Sequence, residues 1–327
     1  MEQRSLGRVG RDVGVVGLGA WQLGADWGEV SDQDAGAVLD AAVDAGVTFI
    51  DTADAYGDGR SERSCGELLA RAPDRDLVIA TKMGRRLEQL PENYNRANFI
   101  AWSDRSRRNL GVETIDLVQL HCPPTAVYHD EEVFAALDEL VDAGRIRHYG
   151  VSVETCEQAL AAIARPHVAT VQIILNCLRL KPLERVLPAA REAGVGIIAR
   201  VPLASGLLSG KYDERTTFAP DDHRSYNRHG EAFDVGETFA GVPYEVGLEA
   251  VGELRGVVGA ATAMAQFALR WVIDAPGVSV VIPGARNPGQ ARANVASAEL
   301  PSLSAEQLAA VREIYDRLIR PHVHERW

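Results

Sequence analysis

Short runs of aliphatic and β-branched residues punctuate this chain: VGVVGL near 13–18, VTFI at 47–50, LVIAT at 77–81, IDLVQL at 115–120, IRHYGVS at 146–152, VATVQI at 168–173, VGIIAR at 195–200 and VSVVIP at 278–283. Their nearly continuous apolar character predicts strands buried on both faces, as in a parallel sheet. Between them lie stretches of helical period, among them QDAGAVLDAAVDAG, SERSCGELLARA, NFIAWSDRSRRNLG, DEEVFAALDELVDAG and LERVLPAAREAG. Several close on glycine, which ends helices in the left-handed region. Strand and helix in alternation imply right-handed crossovers, and eight such units close into a (β/α)8 TIM barrel. The expected α/β architecture is one barrel domain over residues 1–327, with a short N-terminal β-hairpin and a C-terminal helix.

An open doubly wound sheet is the structural rival. Its best support is GLGAWQLG at 17–24, where Gly17 and Gly19 lack a third glycine at the spacing that lets a helix begin beneath a pyrophosphate. Two features depart from eight plain units. The polar stretch at about 212–246 follows the seventh strand and is expected to overhang the pocket, as long insertions after strand ends do. The tail carries SAEQLAAVREIYDRLI and little beyond it, which predicts a fairly open substrate cleft.

Composition narrows the partners. With 34 Lys+Arg against 46 Asp+Glu, the net charge of -12 repels nucleic acid and anionic membranes. Charges break the N-terminal MEQRSLGRVGRD, and no window offers the roughly 18 uncharged apolar residues of a membrane span, so a cytoplasmic protein is expected. Cys65, Cys122, Cys156 and Cys177 lie far apart without metal-knuckle spacing, and reduced thiols are the simplest account. Nothing demands more than a monomer or weak homo-oligomer.

Four polar residues then stand out. VTFIDTADAY carries Asp51 and Tyr56, LVIATKMG carries Lys82, and IDLVQLHCPP carries His121. In a parallel barrel the strand C-termini share one rim, so these side chains converge. A phenol has a reference pKa near ~10 and needs a cation to lower it; Lys82 supplies one, and Asp51 holds that ammonium charged. His121 can orient a carbonyl oxygen and stabilise the charge that develops on it. None of the four supplies hydride, so a nicotinamide must. Taken singly, a strand-end Asp caps a turn, a Lys is solvated and a His is a satisfied rim residue. Their joint placement on consecutive strands carries the reading.

GVTFIDTADAYGDGRSE, IATKMG and DLVQLHCPP resemble the signature segments of the aldo-keto reductase superfamily, and the likeness extends from GLGAWQLG to IPGARNPGQARANV. The resemblance implies reversible NADP(H)-dependent reduction of an aldehyde or ketone, sugar-like carbonyls included. Tyr56 would be the acid/base, Lys82 and Asp51 its tuning partners, and His121, with Trp21 and Tyr56, would contact substrate. It also implies NADPH, with NADH less favoured and no metal, bound extended along the rim. Gly19, Ala20, Trp21 and Asp51 would lie beside it; Ser152, Gln172 and Asn176 would hold the carboxamide. Val153 stands where the family pattern often has Asn, removing one polar contact. Arg200, where many relatives place an aromatic under the nicotinamide, would stack on it or pair with an acid on the rim. Val201, Pro202, Leu203, Ser205, Gly206 and Lys211 match the pyrophosphate segment. Gly284, Arg286, Gln290 and Asn294 match the adenosine side, with Arg286 the natural partner of a 2′-phosphate. Trp21, Tyr128, Tyr226 and the stretch at 212–246 are candidates for the pocket wall.

Other readings use the same residues. Some members of the superfamily act as nucleotide-binding regulatory subunits. A metal-dependent hydrolase would need Asp51, Asp54, His121 and His148, but leaves Lys82 and Tyr56 unexplained. Cys122 beside His121 suggests a nucleophile, yet no base serves it.

Overall fold

The computed structural model describes residues 1–24 and 30–327. Eight parallel strands form the barrel: β3 (Leu18–Gly19), β4 (Phe49–Asp51), β5 (Val78–Met83), β6 (Ile115–His121), β7 (Ile146–Ser152), β8 (Val168–Ile174), β9 (Gly196–Arg200) and β10 (Val278–Val281). They pair in sequence order, and the parallel bridges Val16 to Val281 and Gly19 to Gly284 bring the two edges together. Helices intervene on the outside, several with legible ends. Arg96–Leu110 is capped by Asn95 and stops at Gly111, and Val186–Ala193 stops at Gly194, both glycines at φ 67.

The first apolar run divides. A strand over 13–18 was expected; instead β2 (Asp12–Gly14) pairs antiparallel with β1 (Gln3–Ser5) as a hairpin, and the barrel strand proper is Leu18–Gly19, with Val16 only bridging Val281 of β10. Gly17 permits the transition, since a Cβ there would stand 2.7 Å from the Phe49 carbonyl oxygen. The hairpin region plugs the barrel floor. Leu6, Val9 and Val13 pack with Phe49, Val78, Ala80, Leu117, Ile198 and Val280 in one apolar cluster.

That cluster explains where the chemistry goes. Alternate residues of a strand face the same way, so the inward positions read Phe49 then Asp51, Val78 and Ala80 then Lys82, Leu117 then Gln119 and His121, and Ile198 then Arg200. Apolar side chains fill the floor and polar ones emerge at the rim.

The stretch at 212–246 holds a short helix, His223–Tyr226, and 3₁₀ turns at Val235–Glu237 and Phe239–Gly241. Its end lies a little earlier than expected, because helix Tyr244–Val258 begins within it. The tail forms helix Ala305–Ile314 and then returns to this insertion: the Trp327 indole N–H donates to Asp234 (2.9 Å), and Arg179 stacks 3.7 Å from the Trp327 ring. The short tail thus braces the insertion, and the insertion reaches the site.

Candidate active site

Asp51 ends β4 with both oxygens engaged. Oδ1 accepts from Lys82 Nζ, while Oδ2 accepts from Gln119 Nε2 (3.0 Å) and Gln172 Nε2 (2.8 Å). The Lys82 ammonium has three protons and three acceptors: Asp51, the Thr52 carbonyl (2.9 Å) and the Tyr56 hydroxyl (3.1 Å). Lys82 is about 1% exposed, an environment a charge tolerates only when fully paired. Burial works against its charge, but Asp51 and Tyr56 more than offset this and hold its pKa above the ordinary lysine value.

Tyr56 reverses one expectation. Burial pushes the phenol above its ordinary value, and Lys82 pulls it back without overcoming that push. The cation therefore limits a rise rather than producing a fall, and Tyr56 stays a neutral O–H through neutral pH. His121 faces it edge-on, ring centroids 5.7 Å apart. Burial first, then the charges of Arg85, Lys82 and Arg200, hold its pKa well below the ordinary value, so the imidazole is neutral. Its Nδ1 is buried without a partner among the described residues. Trp21 stacks on Tyr56 at 5.9 Å and touches His223 and Phe233, making one aromatic wall.

A cleft of about 510 Å³ runs from this corner along the rim. It is lined by every cofactor-side residue inferred above except Asn176. Gly19, Ala20 and Asp51 lie near the Tyr56 end with Ser152 and Gln172. Asn176 is fully buried and spent on the backbone: its Nδ2 donates to the Val201 carbonyl (2.9 Å) and its Oδ1 accepts from Leu178 N–H (2.8 Å). Gln172 serves Asp51 and so is also a partner of the ion pair. Val153 is buried, and its carbonyl accepts from Arg200 (3.0 Å). Val201, Ala204 and Ser205 adopt φ of 52, 46 and 52, three non-glycine residues in the left-handed region within one short segment. The Ser205 hydroxyl donates to the Glu237 carbonyl (3.0 Å), tying this segment to the insertion. At the far end lie exposed Lys211 and Arg286; Gln290 accepts from Arg286 N–H (2.8 Å), and Asn294 donates to the Gly284 carbonyl (3.1 Å).

Arg200 does not lie free. Its guanidinium pairs with Glu237 (2.6 Å) and Glu154 (2.9 Å), and Arg85 bridges the same two carboxylates at 2.9 and 3.4 Å. None of Arg85, Glu154, Glu237 or Gln119 emerged from the sequence. Gln119 had a signal, since it sits two residues before His121 on the inward face of β6. Tyr128 and Tyr226 are not among the residues that line the cleft: Tyr128 is fully buried, donating to the Ser152 carbonyl (2.9 Å), and Tyr226 meets Phe233 edge-on with ring centroids 6.2 Å apart.

The alternative sets are not assembled. His148 pairs with Leu117 four residues below Ser152 on β7, roughly 13 Å from the rim at ~3.3 Å per residue. Cys122 is buried, its thiol pushed up to about 12, chiefly by burial.

Comparison with known proteins then decides the family. The model of the Aldo/keto reductase family matches residues 15–316. The chain belongs to that family. This aldo-keto reductase is 34% identical to the aldo-keto reductase YhdN of Bacillus subtilis over 301 residues, 90% of this chain and 87% of YhdN. The glycerol dehydrogenase AKR11B4 from Gluconobacter oxydans has a similar structure, with a TM-score of 0.79 at 31% identity, covering 98% of this chain and 96% of that one. An aldo/keto reductase from Klebsiella pneumoniae in complex with NADP and acetate matches with a TM-score of 0.70 at 25% identity over 96% of both chains. No helix among the described residues is long and apolar enough to cross a membrane.

Proposed function

We propose that this aldo-keto reductase is an NADPH-dependent carbonyl reductase that also runs in reverse. The single observation that carries the reading is the saturated Asp51–Lys82–Tyr56 chain opening onto the cleft. The cleft fits a phosphorylated dinucleotide: an acid/base pair lies at one end, and Lys211 and Arg286, which make no ion pair among the described residues, lie at the other. NADP in the Klebsiella relative supports this cofactor. The bound nicotinamide supplies hydride.

The protein's residues do the rest. Tyr56 donates its proton to the carbonyl oxygen, and Lys82 stabilises the phenolate left behind. Asp51, fixed by Gln119 and Gln172, keeps Lys82 charged and aimed. Neutral His121 donates a hydrogen bond to the same oxygen and does not compete as an acid. Ser152 lies on the cleft where it can meet the carboxamide, and Trp21 walls the substrate side. Arg286 reads the 2′-phosphate. Residues 1–327 act as one barrel unit in the cytoplasm, on small molecules and without nucleic-acid or membrane partners.

A screen of aldehydes, ketones, keto-sugars and polyols in both directions, with NADPH deuterated at C4, tests this. The expected result is label on the product carbinol carbon. Tight NADPH binding with no turnover of any carbonyl or polyol contradicts it and favours a regulatory subunit.

A further inference from the structure

Arg85 follows β5, Glu154 follows β7, Arg200 ends β9, and Glu237 belongs to the insertion. Their charges cancel in two pairs. Arg200 Nη1 lies 2.6 Å from Glu237 and Nη2 2.9 Å from Glu154 and 3.0 Å from the Val153 carbonyl, while Arg85 holds the outer oxygens of both glutamates. Arg200, Arg85 and Glu237 line the cleft with Tyr56 and His121, and Arg200 Nη2 lies 3.7 Å from the sulfur of Cys122, the residue after His121.

Cys122, Glu154 and Glu237 also sit close enough together to suggest a metal site. Two guanidiniums occupy that space, so it is an ion-pair centre. Its place beside the acid/base pair gives it a different consequence. A nicotinamide ring that has lost hydride carries one positive charge more than the reduced ring, so fixed charge nearby discriminates between the two forms.

We infer that Glu237 and Glu154 are positioning residues that neutralise Arg200 and Arg85 beside the nicotinamide, and thereby set the preference of the cleft for oxidised over reduced cofactor. The inference rests on the cofactor reading above. Because Glu237 is carried by the insertion, tolerance of the oxidised ring depends on the insertion being seated, and a displaced insertion exposes the ring to uncompensated guanidinium charge.

The test is the dissociation constant of NADP⁺ and of NADPH, by calorimetry and fluorescence quenching, for the parent, Glu237→Gln, Glu154→Gln and Glu237→Asp. In both Gln variants NADP⁺ affinity falls at least about tenfold relative to NADPH, since one unit charge gives that ratio already at ~12 Å and an effective dielectric of about 20, and a larger one when closer. Glu237→Asp restores most of the parent ratio. If both forms weaken alike in the Gln variants, or the ratio moves in opposite directions in the two, the inference is wrong and the cluster is only a structural tie. A parent that binds neither form overturns the cofactor reading itself.

Discussion

Two ion sets border the cleft, one fully buried and the other partly so, and they are built differently. The Asp51–Lys82 pair stands on adjacent strands above an apolar floor, with Gln119 and Gln172 closing the carboxylate's remaining sites. The Arg85–Glu154–Arg200–Glu237 set joins one strand-end residue, Arg200, to three residues from loops, one of which belongs to the insertion. The first is held by barrel geometry and has nowhere to relax. The second depends on the insertion for Glu237, so displacing the insertion would open it to water and make its charges less costly to expose.

Breaking each set separates them. Lys82→Met strands a buried carboxylate and should cost ~3–5 kcal/mol in urea unfolding, with reduction abolished. The double variant Asp51→Asn/Lys82→Met should recover part of that stability; a double as unstable as the single contradicts the claim that the uncompensated charge does the damage. Asp54 sharpens the contrast, because it lies close to this corner with neither oxygen hydrogen-bonded among the described residues and its carboxyl raised to about 7, mainly by burial. A folded pKa above the unfolded one favours the protonated form. Its penalty is therefore absent below pH ~4 and grows until about pH 7. Asp54→Asn should gain on the parent by ~2–3 kcal/mol between pH 5 and pH 8, at about 1.4 kcal/mol per unit; a gain that does not change with pH removes Asp54 from acid–base control of stability.

Arg200→Met should cost less than Lys82→Met, ~2 kcal/mol, because Glu237 can leave with the insertion. Equal losses would mean the insertion is as rigid as the barrel. The smallest effect lies farthest away. Arg286→Ala should weaken NADPH about tenfold while leaving NADH nearly unchanged, the scale of one lost phosphate contact, and an unchanged affinity ratio would release Arg286 from phosphate recognition.

The same contrast explains what could be read from the sequence. Asp51, Lys82 and His121 were legible because period two and parallel topology put strand-end polar residues on one rim, and Gln119 could have been added by the same counting. Arg85, Glu154 and Glu237 were not, since their meeting depends on loop paths that no periodicity encodes. Asn176 followed the resemblance but is spent on backbone, tying its own loop to the one after β9. The direction of the Tyr56 shift was missed for a related reason: a neighbouring cation can be read from topology, whereas the depth of burial that outweighs it cannot. The first run looked like one strand because hairpin and barrel strand are both apolar, and only packing divides them at Gly17.

The central claim is that Tyr56 is the proton donor of a nicotinamide-dependent reduction. Tyr56→Phe keeps the ring on Trp21 and removes only the hydroxyl that meets Lys82. With an activated aromatic aldehyde and saturating NADPH, turnover should fall on the order of 10²–10⁴-fold, while the NADPH dissociation constant from fluorescence quenching stays within about twofold of the parent. Turnover equal to the parent at unchanged cofactor affinity would contradict the account.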